Sequence, residues 1–459
     1  MLILLSLFVF STLLSPLLAN PVQPSRLGVR LPIKDRLNAQ MPDASKQPNA
    51  DFIPLCNLTF ANWERDAVLV KYADAPEFLA GINLFSVDFN DILSTVSNPL
   101  DYAVPFIDIR KRGFIDVPVM TSAFPVMSLT DFISGNLDML YYGPVKIGTP
   151  EQQLTVDVDT GSADLWIPSN CPSCVNDQFD HEASSTFQTD NQRFAISYGT
   201  GSARGIVGRD TVHIAGMSVT NQSFGAVDRL TADFNEYPND GLLGMAFGTI
   251  SRTRAETVFE NLMRQGQIQD PMFSIHLGRM REQGSELCLG CSDPTKMAGT
   301  IAWVPVQSKT YWTVPMDAFS ANGEKTLLAV NNILAAIDTG TSLIYFPGFL
   351  AETFYNSIPG SRQAEEIGRG IYAYPCDQTP SVALSFGGFE FAIHPDDFNL
   401  GKVSTNSSEC VGGVVSSGNG GPQNLAIIGV VFLKSWYTVY DYAHGTRIGF
   451  APSINNAHP

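Results

Sequence analysis

The chain contains an internal repeat that strongly constrains its architecture. The segment Val158–Leu165, VDTGSADL, recurs as Ile337–Ile344, IDTGTSLI. Each copy follows a short apolar stretch, and two large apolar residues with a glycine come later, as LLG at 242–244 and IIG at 427–429. One Asp-Thr-Gly tripeptide is an ordinary turn sequence. Two copies in equivalent surroundings indicate a duplicated lobe.

The remainder of the sequence favours strands over helices. From about Tyr141 onward, short apolar runs alternate with glycine, and Leu154–Asp159 alternates apolar with polar residues as a half-buried strand does. The segment Phe194–Ile214 predicts a hairpin that turns at Gly199–Gly201. The sequence therefore predicts an all-β protein with few helices. Apolar residues at helical spacing place these helices at Ala255–Gln265 and Leu350–Ser357.

The repeat also predicts a chemistry. An aspartate at the end of a strand, followed by Thr-Gly in a tight turn, presents its carboxylate while the glycine lets backbone approach closely. A pseudo-two-fold axis between two such turns would bring Asp159 and Asp338 together. Two adjacent carboxylates cannot both ionise, so the pair shares a proton. One member can then take a proton from water while the other donates to a carbonyl oxygen.

From about Leu137 to Pro452 the chain resembles a pepsin-like aspartic protease. The resemblance implies a bilobal pepsin-like fold, with Asp159 and Asp338 as the catalytic aspartates of an endopeptidase that cleaves extended polypeptides at acidic pH. It implies no metal and no organic cofactor. A relative that keeps the cleft without catalysis is the alternative. Such loss usually shows as a changed Asp-Thr-Gly, flap tyrosine or neighbouring glycine, and all of these are intact.

The resemblance also assigns roles around the two aspartates. Alone, a tryptophan or tyrosine in a strand is more often an ordinary core residue than part of a site. In the family, hydroxyl residues bind the outer carboxylate oxygens, glycines follow the aspartates, and a flap tyrosine closes over substrate with support from a tryptophan. The neighbouring Asp157, Asp164 and Asp240 are expected to be structural. The matching positions are Ser162 and Thr341, Gly161 and Gly340, the flap residues Tyr198, Gly199 and Thr200, and Trp166.

We divide the chain into four segments. Leu2–Ala19 is uncharged and apolar, and a small residue followed by a polar stretch predicts a signal peptide at 1–19. A membrane anchor is the alternative, because the run approaches spanning length. A prosegment is expected at 20–136, an N-terminal lobe at 137–308 and a C-terminal lobe at 309–459. No other stretch is apolar enough to span a bilayer, so we expect secretion, or delivery to a lysosome-like compartment, without membrane attachment.

The expected prosegment departs from the family. Family prosegments are short and strongly basic, and they inhibit by placing a lysine against the catalytic carboxylates. Here residues 1–135 hold 10 basic and 13 acidic residues of the chain's 28 and 45, and the segment is about twice the usual length. The sequence assigns no lysine to the inhibitory role. Arg110–Arg112 is a candidate processing site, and an aberrant gene model for residues 20–110 is the alternative explanation of this segment.

The seven cysteines leave two interpretations open. Two Cys-x-x-Cys pairs could form a zinc site, but an oxidising compartment favours disulfides. The family has disulfides at positions matching Cys376–Cys410 and Cys171–Cys174, while Cys288, Cys291 and Cys56 have no counterpart. Three sequons are candidate glycosylation sites. Their asparagines are Asn57, Asn221 and Asn406.

The overall charge limits the possible partners. The formal net charge is −17, and most of it lies downstream of residue 135. Nucleic acid is not expected as a partner, because a phosphate backbone attracts clustered lysine and arginine. The expected partners are polypeptide substrates and the chain's own prosegment, and the protein is expected to be a monomer.

Overall fold

A computed structural model describes residues 54–79, 124–198, 201–328 and 332–456. The predicted signal peptide, most of the expected prosegment, the Arg110–Arg112 cluster and the flap residues Gly199 and Thr200 lie outside these ranges. In the described ranges, strands predominate and the helices are short. The all-β fold expected from the sequence is therefore confirmed.

The helices are dispersed along the chain. They are α1 Leu58–Lys71, α2 Ala75–Leu79, α3 Val258–Arg264, α4 Gly348–Asn356, α5 Pro395–Phe398 and α6 Val430–Leu433. The strands of the first half are β1 Val126–Ser134, β2 Leu137–Ile147, β3 Gln152–Asp159, β4 Leu165–Pro168, β5 Gln188–Tyr198, β6 Gly201–Ile214, β7 Met217–Leu230, β8 Gly241–Gly244, β9 Met272–His276, β10 Ser285–Leu289 and β11 Ala302–Pro305.

The second half contributes fourteen further strands among the described residues. They are β12 Thr313–Ala321, β13 Glu324–Leu327, β14 Leu334–Ile337, β15 Ile344–Pro347, β16 Arg362–Gln363, β17 Tyr372–Pro375, β18 Val382–Phe386, β19 Phe389–Ile393, β20 Asn399–Lys402, β21 Glu409–Gly412, β22 Val414–Gly418, β23 Leu425–Ile428, β24 Trp436–Asp441 and β25 Arg447–Pro452.

The strands of the described ranges form three sheets. The largest has thirteen strands in the order β11-β25-β24-β9-β10-β1-β2-β3-β8-β4-β7-β6-β5, so the C-terminal strands join the sheet that continues into the first lobe. An eight-stranded sheet has the path β19-β18-β12-β14-β23-β15-β22, with β13 paired to β12. The third sheet has the order β16-β17-β21-β20.

The sequence repeat is a structural repeat. Strand β3 ends at Asp159 and pairs in parallel with β8, and β14 precedes Asp338 and pairs in parallel with β23. In both copies the strand after the Asp-Thr-Gly turn pairs antiparallel with that same glycine-containing strand: β4 with β8, and β15 with β23. The two apolar-apolar-glycine segments therefore lie directly behind the two turns. The predicted duplication is present at the level of strand pairing.

The predicted elements match the observed ones with small shifts. Strands β5 and β6 form the predicted hairpin. Helix α3 begins at Val258 rather than Ala255, because Thr257 caps it through a reciprocal pair of hydrogen bonds with Glu260. Helix α4 begins two residues before the predicted Leu350. The expected boundary at residue 136 falls in the turn between the paired strands β1 and β2, and it remains a prediction.

Three disulfides close local segments. They join Cys171 to Cys174, Cys288 to Cys291, and Cys376 to Cys410, and Cys56 is a buried free thiol. Each Cys-x-x-Cys pair closes on itself, so the four thiolates of the alternative zinc site are not available. In the described part of the chain, no helix is both long and apolar enough to cross a bilayer.

Candidate active site

The two aspartates of the repeat lie in equivalent, buried turns. Asp159 is 1% exposed and Asp338 is fully buried. The backbone N–H of Gly161 donates to Asp159 Oδ1 at 2.8 Å, and that of Gly340 donates to Asp338 Oδ1 at 3.0 Å. The second carboxylate oxygens accept from hydroxyls, Ser162 Oγ at 2.6 Å in one turn and Thr341 Oγ1 at 2.5 Å in the other. These contacts fix the orientation of both carboxylates.

The threonines of the two tripeptides join the turns to each other. Thr160 N–H donates to Thr339 Oγ1, and Thr339 N–H donates to Thr160 Oγ1, both at 3.0 Å. Each hydroxyl in turn donates across the interface, Thr160 to the carbonyl of Ile337 at 2.8 Å and Thr339 to that of Val158 at 2.6 Å. All of these groups are buried. The resulting network sets the relative position of the two aspartates.

The glycines of the tripeptides are required by this close approach. A Cβ added at Gly161 would overlap the carboxylate of Asp338, and one added at Gly340 would overlap that of Asp159. Each glycine is therefore the point where one turn makes room for the other turn's carboxylate. This contact explains why the residue type is the same in both copies.

The hairpin β5–β6 carries the expected flap tyrosine. Tyr198 is the last residue of β5, and its hydroxyl accepts a 2.9 Å hydrogen bond from Trp166 Nε1. Phe234 packs edge-on against both aromatic rings, at centroid distances of 5.5 Å from Tyr198 and 5.4 Å from Trp166. Tyr198 and Trp166 line the same cavity as Asp159. The structure thus places the predicted flap residue at the cavity that Asp159 also lines.

A lysine from the segment before the lobes contacts both aspartates. Lys71 Nζ donates to Asp159 Oδ1 at 2.7 Å and to Asp338 Oδ1 and Oδ2 at 3.0 and 2.9 Å. The next residue, Tyr72, donates its hydroxyl to Asp338 Oδ2 at 3.1 Å. The sequence assigned no lysine to this position, and the structure corrects that. Lys71 is the last residue of α1, a helix whose start is fixed by Asn57, which accepts from the N–H of Phe60.

A second residue of α1 binds the loop after the second tripeptide. The buried carboxylate of Glu64 accepts from the N–H of Ser342, from the N–H of Leu343 at 3.2 Å and from the hydroxyl of Tyr345 at 2.9 Å. Arg65 donates to the carbonyls of Ser416 and Ser417. Helix α1 is therefore held in the cleft by polar contacts along its length as well as at its end.

The electrostatics of the site follow from burial and from Lys71. Burial raises the pKa of Asp159 to about 6; Lys71 opposes this shift and Asp338 adds to it. Burial would also raise the pKa of Asp338, but Lys71 and hydrogen bonds from neighbouring groups outweigh it and leave that pKa lowered. Burial would lower the pKa of Lys71, yet the two carboxylates raise it, so its ammonium is charged. One ammonium thus faces a proton-sharing carboxylate pair.

Sequence reasoning missed several residues of this site. Thr160 and Thr339 were within the repeat, where their identity in both copies was a usable signal. Lys71 and Glu64 had no such signal, because neither belongs to a motif. Their seven-residue separation places them two helical turns apart on one face of α1, which can be seen only once the helix is docked.

The remaining predicted site residues lie away from the aspartates. Asn221 and Asn406 are exposed, as glycan attachment requires. Asn57 is half-buried, caps α1 and donates to Ser134 Oγ at 3.2 Å, so its amide is already engaged. Among the described residues, no cluster of three or more His, Cys, Asp or Glu side chains is arranged to hold a metal ion.

Comparisons with known proteins agree with this geometry. The family model described as eukaryotic aspartyl protease matches residues 140–453. An aspartic protease of Phaffia rhodozyma is 39% identical over 324 residues, which cover 69% of this chain and 77% of the relative. Pepsin A of Sus scrofa is 36% identical, covering 69% and 82%. Major aspartyl peptidase 1 of Cryptococcus neoformans var. grubii is 32% identical, covering 76% and 77%.

The matched region contains both turns, the flap and the paired strands behind the turns. It exceeds half of the chain, and the identities are well above those of chance matches. The chain therefore belongs to the eukaryotic aspartyl protease family and is a pepsin-like aspartic endopeptidase.

Proposed function

We propose that Asp159 and Asp338 form the catalytic pair that hydrolyses peptide bonds of extended polypeptides. The observation that carries this proposal is their convergence on one point: both carboxylates bind the same Lys71 ammonium within 3.0 Å. Two carboxylates can both bind one ammonium nitrogen at these distances only if they face each other. A water molecule at that point would be within reach of both.

The proposed reaction needs no covalent intermediate. The ionised member of the pair takes a proton from water, and the water oxygen attacks the scissile carbonyl carbon. The protonated member donates its proton to the carbonyl oxygen, which gives a tetrahedral diol. The proton taken from water then passes to the amide nitrogen as the carbon–nitrogen bond breaks. One diol hydroxyl returns its proton to the pair as the carboxylic acid product forms, so the pair again shares one proton. Two carboxylates that share one proton are the established arrangement in aspartic proteases.

The surroundings support these roles. Ser162 and Thr341 donate to the outer oxygens of the pair and stabilise the ionised form. The flap would close over bound peptide and exclude bulk water, with Tyr198 held by Trp166. Substrate binding is assigned to the flap residues 198–200 and to the turn residues Gly161 and Gly340, whose N–H groups donate to the two carboxylates.

We further propose that the segment before residue 137 is an intramolecular inhibitor. Helix α1 occupies the cleft, and its Lys71 occupies the place of the attacking water. The ion pair between Lys71 and Asp338 is fully formed at pH values above the ordinary pKa of an aspartate. It is lost as the pH falls through the lowered pKa of Asp338. Lys71 acts to lower the pKa of both aspartates, so protonation of either carboxylate weakens its contact with Lys71, and Asp338 is the last to be protonated because its pKa is lowered. Release of helix α1 in acid would therefore depend on protonation of Asp338.

An acid-activated zymogen fits an enzyme that is secreted or delivered to a lysosome-like compartment through the predicted signal peptide. We expect it to act there as a monomer. The decisive experiment is to acidify the purified full chain, sequence the new N-terminus and measure cleavage of a denatured protein at acidic pH. Cleavage that a transition-state-mimicking peptide such as pepstatin blocks supports the proposal. Cleavage that is insensitive to it, or that persists at full rate without Asp159, overturns it.

A further inference from the structure

A groove runs beside helix α3, away from the two aspartates. Its volume is about 1020 Å³, and among the described residues it shares no lining residue with the cavity at Asp159. This volume is at the upper end of the range that encloses a small-molecule ligand, roughly 300–1,000 Å³. The proposed hydrolysis of peptide bonds gives this groove no occupant.

The groove has an apolar floor and a polar rim. Phe247 is buried and Met263 and Tyr442 are half-buried, and the Tyr442 hydroxyl has no hydrogen-bond partner among the described residues. A sugar ring presents one face of C–H groups and an edge of hydroxyls, so it matches a surface that is apolar below and polar at its sides. The rim includes the exposed residues Thr249, Arg254, Glu256 and Arg264.

The asparagine of one sequon lies at the rim of this groove. Asn221 begins the sequence Asn-Gln-Ser at 221–223, and both Asn221 and Ser223 line the groove. Asn221 is exposed, and its φ of 54° lies in the left-handed region, which asparagine tolerates better than most residues. The residue that can accept a glycan therefore adjoins the groove.

A β-bulge holds Asn221 in this position. One residue of β6 opposes both Thr220 and Asn221 of β7, because the register shifts there. Thr220 N–H donates to Gln265 Oε1 at 3.1 Å, at the end of helix α3. Gln222 Oε1 accepts from Asn261 Nδ2 at 2.8 Å, within the same helix. Both neighbours of Asn221 are thus anchored to α3, so the bulge presents Asn221 from a fixed support.

We propose that Asn221 carries an N-linked glycan whose first sugars lie in this groove. The inference rests on the secretory route of the proposed function, because such glycans are added along that route, and it is independent of the catalytic pair. The amide nitrogen of Asn221 displaces the pyrophosphate of a lipid-linked oligosaccharide at the anomeric carbon of the first N-acetylglucosamine. A carbon–nitrogen bond forms, a carbon–oxygen bond breaks, and the amide loses one proton.

The other two sequons do not offer an equivalent site. Asn57 caps helix α1 and donates to Ser134, so its side chain is already engaged. Asn406 is exposed but lines neither this groove nor the cavity at Asp159. A glycan on Asn406 would extend into solvent. Asn406 is therefore the internal reference for a glycan that is attached but not bound to the protein surface.

A glycan bound in the groove differs from a free one in two measurable ways. Its linkage to the protein is shielded, so an enzyme that removes N-linked glycans must wait for the sugars to leave the groove. The sugars also cover the rim, so the guanidinium of Arg254 reacts slowly with a dicarbonyl reagent. Neither effect is expected of a glycan that moves freely in solvent.

The first measurement uses the full chain exported by a eukaryotic secretory host. Peptide mapping by mass spectrometry, before and after treatment with peptide N-glycosidase F, identifies the modified asparagines. The rate of glycan removal is then measured on folded and on denatured protein. Removal from Asn221 should be about tenfold slower in the folded protein than in the denatured one, whereas removal from Asn406 should differ by less than about threefold.

The second measurement is the rate at which Arg254 is modified. Ser223→Ala removes the sequon but keeps Asn221, and Ser408→Ala is its matched control at the other exposed sequon. Arg254 should react about fivefold faster in Ser223→Ala than in wild type or Ser408→Ala, because the covering sugars are absent. The exposed Arg193 should react at the same rate in all three proteins.

Three results would overturn the inference and leave the proposed function intact. They are an exported chain with unmodified Asn221, a glycan that is removed from folded and denatured protein at the same rate, and an unchanged Arg254 rate in Ser223→Ala. A chain that is not exported would instead overturn the proposed secretory route, and this inference with it. If Ser223→Ala does not fold, the two removal rates in the wild type decide the question without it.

Discussion

Thr160 and Thr339 bind each other reciprocally across the interface between the two turns, each accepting the other's backbone N–H at 3.0 Å. Because the adjacent residues are Asp159 and Asp338, this interaction sets the position of the catalytic pair. Thr160→Val would leave the N–H of Thr339 and the carbonyl of Ile337 without partners in a buried site. We expect a loss of about 1–3 kcal/mol in the free energy of unfolding, measured by urea denaturation, and a lower kcat.

The matched control is Thr353→Val, on the exposed face of α4. It removes a hydroxyl that donates to the carbonyl of Phe349 within the same helix. Its stability and kcat should stay close to wild type. Equal effects at Thr160 and Thr353 would show that the reciprocal interaction does not position the pair.

Lys71 is expected to keep the full-length protein inactive. Lys71→Gln would leave the two carboxylates under α1 without a cation, and loss of one partner from a buried ion pair costs about 3–5 kcal/mol. The docked helix should therefore open, and the full chain should cleave a fluorogenic peptide at pH 5.5 in the first minutes after mixing. Wild type and the exposed Lys309→Gln should show almost no initial rate. A Lys71→Gln variant with no initial rate of peptide cleavage would contradict the inhibitory role of Lys71.

The pH of activation should follow Asp338 rather than Asp159. The full chain is incubated at a series of pH values and then assayed at one common pH. Because the pKa of Asp338 is lowered from 3.8, its pair with Lys71 persists until the pH falls below that value. Activation should therefore have its midpoint below about pH 4. A midpoint near pH 6, where Asp159 titrates, would refute this order of protonation.

The disulfides should contribute unequally to stability. Cys376–Cys410 spans 34 positions, whereas Cys171–Cys174 spans three. Loop-closure entropy predicts that removing the 34-residue bridge by double serine substitution costs about 4 kcal/mol and removing the three-residue bridge costs about 2 kcal/mol. Thermal unfolding of the two double variants measures the difference. A larger loss from the short bridge would mean that strain or local packing, and not chain entropy, controls its effect.

The extent of sequence-based prediction differed between the lobes and the segment before them. The two tripeptides and the later apolar-apolar-glycine triplets predicted which strands would lie together, because the same two motifs follow each other in the same order and at similar spacing in both copies. They also led to Asp159 and Asp338. The exact helix starts were missed, since Thr257 caps α3 through its side chain and the sequence offered several possible starts.

The inhibitory contacts could not be predicted in this way. Lys71 and Glu64 act on residues that lie 88 to 281 positions away in the chain. Nothing local distinguishes Lys71 from the other basic residues of its segment, and the segment's slight excess of acidic residues suggested no inhibitory cation. Asp157 was expected to be structural for a similar reason, because only the tertiary structure shows that it lines the cavity and that its Oδ1 has no hydrogen-bond partner among the described residues.

The central claim is that Asp159 and Asp338 act together on one water molecule. Its most direct test is kcat/KM of acid-processed Asp159→Asn and Asp338→Asn for a single-site peptide at acidic pH, with Asp228→Asn as the exposed control. Both variants should lose about a thousandfold in kcat/KM, because each removes one half of the acid–base pair, while the control stays near wild type. Retention of wild-type kcat/KM by either variant would contradict the account.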